Sequence, residues 1–255
     1  MSQTFLPKIL EQKAKEVSAM ELEKLGSLRQ TYSFYDYLKS HSQQMQVIAE
    51  VKKASPSLGD INLGVDIVSQ AKAYKVAGAA MISVLTDEHF FKGKIDYLRQ
   101  ISSQVSIPTL AKDFIIDEKQ IVRARNAGAT VILLIVAALT RERLQELYQY
   151  ATGLGLEVLV ETHNAGELAV AHALGAKIIG VNNRNLVTFK TDLQTSLDLA
   201  DHFHEEPVYI SESAIQSGQD VSRIAPYFDG ILVGTALMTA ADPAQKLKEL
   251  RVDKG

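Results

Sequence analysis

Short apolar runs alternate with amphipathic stretches from about residue 45 to the end of the chain. The runs are rich in Ile, Val and Leu with little polar alternation, which is typical of parallel strands covered on both faces. The predicted strands are 46–53, 80–86, 108–114, 130–136, 157–161, 177–182, 208–213 and 230–234. The stretches between and after them predict helices at 65–77, 95–104, 118–127, 141–152, 165–174, 193–202, 220–227 and 243–250.

Eight strand–helix units predict one α/β domain with the (β/α)8, or TIM, barrel fold. An open doubly wound sheet is the alternative, but it commonly has fewer strands and would leave some units unplaced. Gly78, Gly128 and Gly175 each stand between a predicted helix and the next strand, where glycine ends a helix in the left-handed conformation. Residues 45–255 are assigned to the barrel and residues 1–44 to an N-terminal helical extension. We expect this extension to close one end of the barrel as a structural plug, outside any site.

Composition indicates an ordinary globular protein and excludes several functions. Hydrophobic residues make up 46% of the chain, and the net charge of −3 offers no basic surface for nucleic acid or an anionic membrane. Without cysteine there can be no disulfide, thiolate nucleophile or cysteine metal ligand. The N-terminus lacks the apolar core of a signal peptide, and the longest apolar run, 131–139, is too short to span a bilayer. We therefore expect a cytoplasmic protein, and a monomer.

Charged and amide side chains gather at the predicted strand ends, where a barrel of this kind carries its active site. They end the first, third, fifth, sixth and seventh strands: Glu50, Lys52, Lys112, Glu161, Asn182, Arg184 and Glu212. A single one is best explained as a solvated strand terminus, but this explanation does not suit five strands. Buried charges are costly unless they are paired or used in chemistry. Lysines that face glutamates around one mouth can pair and shift each other's pKa, which predicts a catalytic site.

The loops after the seventh and eighth strands are rich in small residues. They contain Ser213, Gly234 and Thr235, and barrel enzymes often bind phosphate through backbone N–H groups of these loops. Two ordinary small-residue turns explain the same residues equally well. The six histidines lack metal-ligand spacing, and no G-x-G-x-x-G loop follows a strand. We therefore predict neither a metal nor a cofactor, and a small phosphorylated molecule as the partner.

Seven segments, in the same order, resemble the indole-3-glycerol phosphate synthase family. The first, Glu50-Val51-Lys52 followed by Ser55-Pro56, is similar to the family signature E-x-K-x-x-S-P-S. The others lie at 83–93, 112–114, 161, 179–186, 211–213 and 233–238. One segment alone is weak evidence, whereas seven in register are specific. The resemblance implies a TIM barrel lyase of tryptophan biosynthesis, which closes, decarboxylates and dehydrates 1-(2-carboxyphenylamino)-1-deoxyribulose 5-phosphate to give indole-3-glycerol phosphate.

The resemblance also implies roles for individual residues. Lys112 would be the general acid at the ketone oxygen, and Glu161 its acid/base partner. Glu50 and Lys52 would hold substrate, with Lys52 at the departing carboxylate, while Asn182 and Glu212 would orient the sugar hydroxyls. The remaining residues would bind phosphate (Ser55, Pro56, Ser213, Gly234, Thr235), support the charged site (Arg184), or form an apolar wall for the anthranilate ring (Leu85, Phe91, Phe114, Leu133).

Two positions depart from the family pattern. Ala214 stands where a glycine usually follows Glu-Ser, and Lys94 stands where a small polar residue is usual. A side chain at position 214 would alter the phosphate loop if that position has a positive φ.

Three other functions suit part of the pattern. They are a Schiff-base aldolase with Lys112 or Lys52 as nucleophile, a sugar-phosphate isomerase that releases no carbon dioxide, and a non-catalytic barrel that binds a phosphorylated ligand.

Overall fold

Eight parallel strands close into a barrel in the computed structural model, which describes residues 5–55, 59–61 and 64–254. They are β1 (Gln46–Val51), β2 (Met81–Leu85), β3 (Thr109–Lys112), β4 (Val131–Ile135), β5 (Glu157–Thr162), β6 (Ile178–Asn182), β7 (Val208–Glu212) and β8 (Gly230–Val233). Each strand pairs with its neighbours in sequence, and β8 pairs with β1 to close the ring. The predicted barrel is confirmed, and the predicted strand ends lie within two residues of the observed ones.

Helices cover the outside of the barrel and close its ends. They are α1 (Phe5–Ala19), α2 (Phe34–Ser40), α3 (Ile67–Ala77), α4 (Ile95–Ser102), α5 (Glu118–Asn126), α6 (Arg141–Gly153), α7 (Ala165–Leu174), α8 (Gln194–Ala200), α9 (Gly218–Ile224), α10 (Thr235–Met238) and α11 (Pro243–Leu250). The side chains of Asp66, Thr140 and Asn164 cap the first turns of α3, α6 and α7, each worth about 1 kcal/mol. Gly78 and Gly175 end α3 and α7 in the left-handed conformation, as predicted. Within the described ranges, no helix is long and apolar enough to cross a membrane.

The barrel interior is filled with apolar side chains and closed at its N-terminal end by α2. Leu110 and Leu159 are fully buried inside the barrel, and Phe34 of α2 is fully buried against the same cluster. The backbone N–H groups of Phe34 and Tyr35 donate to the carboxylate of Glu157 at 2.7 and 2.9 Å. Because Glu157 begins β5, this carboxylate fixes the positive end of α2 to the bottom of the barrel. The expectation of a plug is therefore right for α2.

Helix α1 lies at the opposite end, over the C-terminal ends of the strands. Its Lys13 is buried, and Lys13 Nζ lies 2.8 Å from Asp87 Oδ2 and 2.9 Å from Asp113 Oδ1, just beyond β2 and β3. Burial alone would lower the pKa of the Lys13 ammonium, but Asp113 and Asp87 outweigh it and raise that pKa. The expectation that the whole extension lies outside the site is wrong for α1, because periodicity predicts a helix but not the end of the barrel on which it packs.

Candidate active site

A cavity of about 450 Å³ opens among the C-terminal ends of the barrel strands. The residues expected to be catalytic all line it: Glu50, Lys52, Lys112, Glu161, Asn182 and Glu212. Most of the expected substrate residues line it too: Leu85, Phe91, Phe114, Leu133, Arg184, Ser213, Gly234 and Thr235. Ser55 ends the first strand of a short hairpin that follows β1, and Pro56 lies outside the described residues. The fold therefore gathers residues that are far apart in sequence into one mouth.

Lys112, Glu161 and Glu212 form a charged cluster in the cavity, the charged floor, in which the Lys112 ammonium lies between the two carboxylates. Lys112 Nζ is 2.5 Å from Glu212 Oε2 and 3.2 Å from Glu161 Oε2, and both carboxylates are buried. Burial alone would lower the pKa of Lys112, but the charges of Glu212, Glu161 and Glu50 outweigh it and raise that pKa. Lys112 is consequently a cationic hydrogen-bond donor that can deliver a proton into the cavity.

The two glutamates that hold Lys112 are not equivalent. Burial raises the pKa of both carboxyls, but Lys112 and His163 together bring that of Glu161 well below its usual range. The Oε1 atom of Glu212 is buried and has no hydrogen-bond partner among the described residues. Burial raises the pKa of Glu212 to about 7, against the attraction of Lys112. Glu161 is therefore ionised, whereas Glu212 can take up or release a proton near neutral pH.

A second ion pair stands beside the first, at the end of β1. Lys52 Nζ lies 2.7 Å from Glu50 Oε1, and both side chains are largely buried. The pair packs directly on Gly234, since a Cβ built there would lie 2.3 Å from Glu50 Oε1 and 2.9 Å from Lys52 Nζ. The glycine after β8 is thus required by the close approach of these two side chains.

The loop after β7 has an unusual backbone. Ser213 and Ala214 both adopt positive φ, at 66° and 62°, a region that costs an ordinary side chain about 1–2 kcal/mol. Position 214 therefore does have the conformation that favours the glycine usual in the family. Lys94, the other departure, is exposed and caps α4 without a side-chain hydrogen bond.

Apolar side chains form one wall of the cavity. Leu85, Leu133 and the rings of Phe91 and Phe114 lie on this side, with the two ring centroids 6.0 Å apart. The sequence did not predict a contribution from the extension, yet Phe5, Leu6 and Ile9 of α1 complete the wall. These side chains offer an apolar surface against which an aromatic ring can pack.

A sequence model described as indole-3-glycerol phosphate synthase matches residues 6–250. The chain belongs to the indole-3-glycerol phosphate synthase family. The match spans all eight strands and nearly all of α1, so it includes both the barrel and the helix that completes the cavity wall. The resemblance inferred from the strand ends is confirmed.

Curated relatives support membership of this synthase family along the whole chain. Proteins named indole-3-glycerol phosphate synthase from Streptococcus gordonii and Streptococcus thermophilus are each 72% identical over 255 residues, covering 100% of both chains. The protein of that name from Streptococcus sanguinis is 71% identical with the same coverage.

Two solved structures with a different name, 3-hexulose-6-phosphate synthase, share the barrel architecture. A 3-hexulose-6-phosphate synthase covers 81% of this chain and 98% of its own, with a TM-score of 0.66 and 16% identity. The enzyme of that name from Salmonella typhimurium gives 0.63, with 81% and 96% coverage and 16% identity. At such low identity the likeness concerns the barrel fold alone.

Sequence reasoning missed several residues that support the charged floor in this family member. His163 lies between the carboxylates of Glu161 and Glu167, and Lys13 reaches down from α1. A signal for the first was present, because His163 follows Glu161 by two residues and precedes Glu167 by four. For Lys13, the spacing of four residues from Ile9 and from Val17 indicates the buried face of α1. Its pairing with Asp87 and Asp113 had no local signal, since both aspartates are more than 70 residues away in sequence.

Proposed function

We propose that the chain acts as an indole-3-glycerol phosphate synthase. It closes the five-membered ring of 1-(2-carboxyphenylamino)-1-deoxyribulose 5-phosphate and releases carbon dioxide and water. The observation that carries this proposal is the largely buried Lys112 ammonium between Glu161 and Glu212, in a cavity that apolar side chains and small-residue loops also line. Membership of the synthase family supports it.

The substrate lies in the cavity with its three functional parts separated. The anthranilate ring packs on the apolar wall of Leu85, Phe91, Phe114 and Leu133, and its carboxylate meets Lys52. The phosphate is held by the loops at Ser213, Gly234 and Thr235, and by Ser55 and Pro56 as the family resemblance implies. Asn182 and Glu212 orient the sugar hydroxyls, and Arg184 supports the charged site.

Ring closure is the first chemical step of this scheme. The aromatic carbon that carries the carboxylate attacks the ketone carbon, and Lys112 donates a proton to the oxygen that becomes a hydroxyl. Glu50 and Glu161 stabilise the cationic ring that results. The bond to the carboxylate then breaks, carbon dioxide leaves, and its electron pair restores the aromatic ring. In the last step Lys52 donates a proton to that hydroxyl, which leaves as water. Glu161, which is ionised, takes the proton from the carbon next to the nitrogen, and the double bond of the five-membered ring forms.

Lys112→Met tests the general acid. Removing a positioned acid or base typically lowers the rate about 10²–10⁴-fold, so kcat should fall at least 100-fold while KM changes little. Lys72→Met is the matched control, because Lys72 is exposed on α3, away from the cavity, and donates to Gln104. Product is followed by indole fluorescence and folding by circular dichroism. A folded Lys112→Met with near-normal turnover would remove Lys112 from the mechanism.

Two substitutions at Gly234 test the phosphate loop. Gly234→Asp places a negative charge where the phosphate is expected and should raise KM strongly. Gly234→Ala makes the same steric contact with Glu50 Oε1 but carries no charge, so the difference between the variants isolates the repulsion of an anion. Equal KM values in the two folded variants would place the phosphate elsewhere.

The same cavity also bears on the alternative enzymes. A Schiff-base aldolase needs a neutral amine, whereas the carboxylates around Lys112 keep it cationic. Borohydride added with a ketose phosphate should therefore trap no adduct. A sugar-phosphate isomerase would release no carbon dioxide, so measuring carbon dioxide separates it from a synthase.

We also propose that the chain works as a single-domain monomer in the cytoplasm, without metal, cofactor, nucleic acid or membrane. The net charge of −3 and the lack of cysteine support this. Light scattering should give the mass of one chain, and activity should survive exhaustive chelation. A loss of activity with EDTA that Mg²⁺ or Zn²⁺ restores would contradict the absence of a metal.

A further inference from the structure

A histidine stands directly behind the glutamate that serves as base. His163 follows β5, is nearly buried, and lies between two carboxylates. Its Nε2 is 3.2 Å from Glu161 Oε1, and its Nδ1 is 2.9 Å from Glu167 Oε2. Nδ1 makes a hydrogen bond to Glu167, whereas Nε2 lies at ion-pair distance from Glu161 without hydrogen-bond geometry. Because both ring nitrogens face carboxylates, the charged imidazolium form of the ring is favoured.

The local fold sets up this arrangement. Glu161 and His163 are two residues apart at the end of a strand, so their side chains point to the same face. Glu167 lies in the first turn of α7 and accepts from the backbone N–H of His163 at 2.9 Å. Its other oxygen accepts from Asn164 Nδ2 at 2.7 Å. The carboxylate of Glu167 is thereby fixed before it holds the histidine.

The charges around His163 favour the protonated ring. Burial alone would lower the pKa of His163, but Glu161 and Glu167 outweigh it and raise that pKa to about 10. Lys112 lies on the far side of Glu161, at Oε2. A second cavity lies beside the ring of His163. Three further charged residues from the segment after β6 line it: Arg184, Lys190 and Asp192.

We propose that His163 is a positioning residue for Glu161, and that Glu167 in turn holds His163. This inference rests on the proposed function. The charged ring faces the Oε1 atom of Glu161 at ion-pair distance and leaves Oε2 directed at Lys112, so one defined oxygen serves as the base. Glu212 has no such partner on its Oε1 atom among the described residues. The histidine thus adds to the effect of Lys112 a second positive charge at Glu161 that Glu212 lacks.

Activity against pH tests this role, with His163→Gln and Glu167→Gln as variants. Loss of an outer partner of this kind typically costs about 10–100-fold, and we expect kcat to fall by that amount with little change in KM. Without the imidazolium the pKa of Glu161 rises, so the acidic limb of kcat/KM should move to higher pH. His172→Gln is the matched control, because His172 is on the same helix as Glu167 but bonds Tyr209. It should match the unmodified protein.

The result that overturns the inference is an acidic limb that stays in place in both variants, or one that His172→Gln moves equally. If His163→Gln does not fold by circular dichroism, Glu167→Gln carries the same test.

A readout independent of activity separates this inference from the proposed function. By NMR, the ring of His163 should stay protonated through pH 8 in the unmodified protein, and a midpoint near the ordinary value of about 6.5 would contradict the inference. If no indole forms from the unmodified protein, the proposed function fails, while the NMR titration still decides whether Glu161 and Glu167 hold a charged ring.

Discussion

Lys13→Met should destabilise the protein far more than a typical surface change. Methionine fills a similar volume but leaves Asp87 and Asp113 buried without their shared cation. Removing one partner of a buried ion pair costs about 3–5 kcal/mol. Asp113 keeps the hydroxyl of Thr86 at 2.7 Å, and Asp87 keeps two backbone N–H groups, so the lower end of that range applies. For a chain of this size, a loss of about 3 kcal/mol lowers Tm by about 6–12 °C.

Lys15→Met is the matched control for this prediction. Lys15 is on the same helix and pairs with Glu11 at 2.8 Å, but both side chains are exposed. Such a fully exposed pair contributes little to stability, so Tm should fall by no more than about 2 °C. Thermal and urea unfolding of both variants by circular dichroism gives the comparison. Equal Tm values for Lys13→Met and Lys15→Met would refute the reasoning.

Substrate affinity gives the same prediction a second measurement. Helix α1 brings Phe5, Leu6 and Ile9 into the cavity wall, and Lys13 is the charged contact that ties this helix to the ends of β2 and β3. Loosening α1 removes apolar contact with the aromatic ring but leaves Lys112 in place. KM should therefore rise more than kcat falls, and a pure loss of kcat would contradict this placement of α1.

Three further predictions concern the charged floor and its loops. In Gly180→Ala the new Cβ would lie 2.2 Å from Glu212 Oε1, so the carboxylate must move and kcat should fall about 100-fold with the fold intact; unchanged kcat would contradict this packing. Ala214→Gly relieves a left-handed residue and should stabilise the protein by about 0.5–1 kcal/mol in urea unfolding, because glycine entropy offsets part of the gain; a destabilised variant would contradict it. The pKa of His163 is raised to about 10, so its stabilisation is complete below its unfolded pKa and disappears as pH rises through 10. The difference in unfolding free energy between the unmodified protein and His163→Gln should shrink from pH 7 to pH 10, and a growing difference would contradict it.

The strands and most helices could be predicted because each depends on local sequence. An apolar run in a parallel strand is buried on both faces, so its composition marks its position. Strand ends then locate side chains such as Lys112 and Glu161, since all parallel strands end at the same rim. The helix at 165–174 was predicted to the residue, because Asn164 caps its start and Gly175 ends it.

Packing across the chain could not be predicted in this way. The spacing of Lys13 from Ile9 and Val17 places it on the buried face of α1, but nothing local to it shows that it meets Asp87 and Asp113. The difference in pKa between Glu161 and Glu212 could not be predicted from the sequence either, because it depends on His163 lying beside one carboxylate and not the other. Only the family pattern suggested a positive φ at Ala214, since alanine itself favours a negative φ.

The most direct test of the proposed function is to give the protein 1-(2-carboxyphenylamino)-1-deoxyribulose 5-phosphate with EDTA present. Indole fluorescence and released carbon dioxide are followed together, with Lys112→Met run in parallel. The scheme predicts that indole and carbon dioxide appear in equal amounts and that Lys112→Met slows both by at least about 100-fold. Substrate consumed without carbon dioxide, or no indole from the folded, unmodified protein, would contradict the proposed synthase activity.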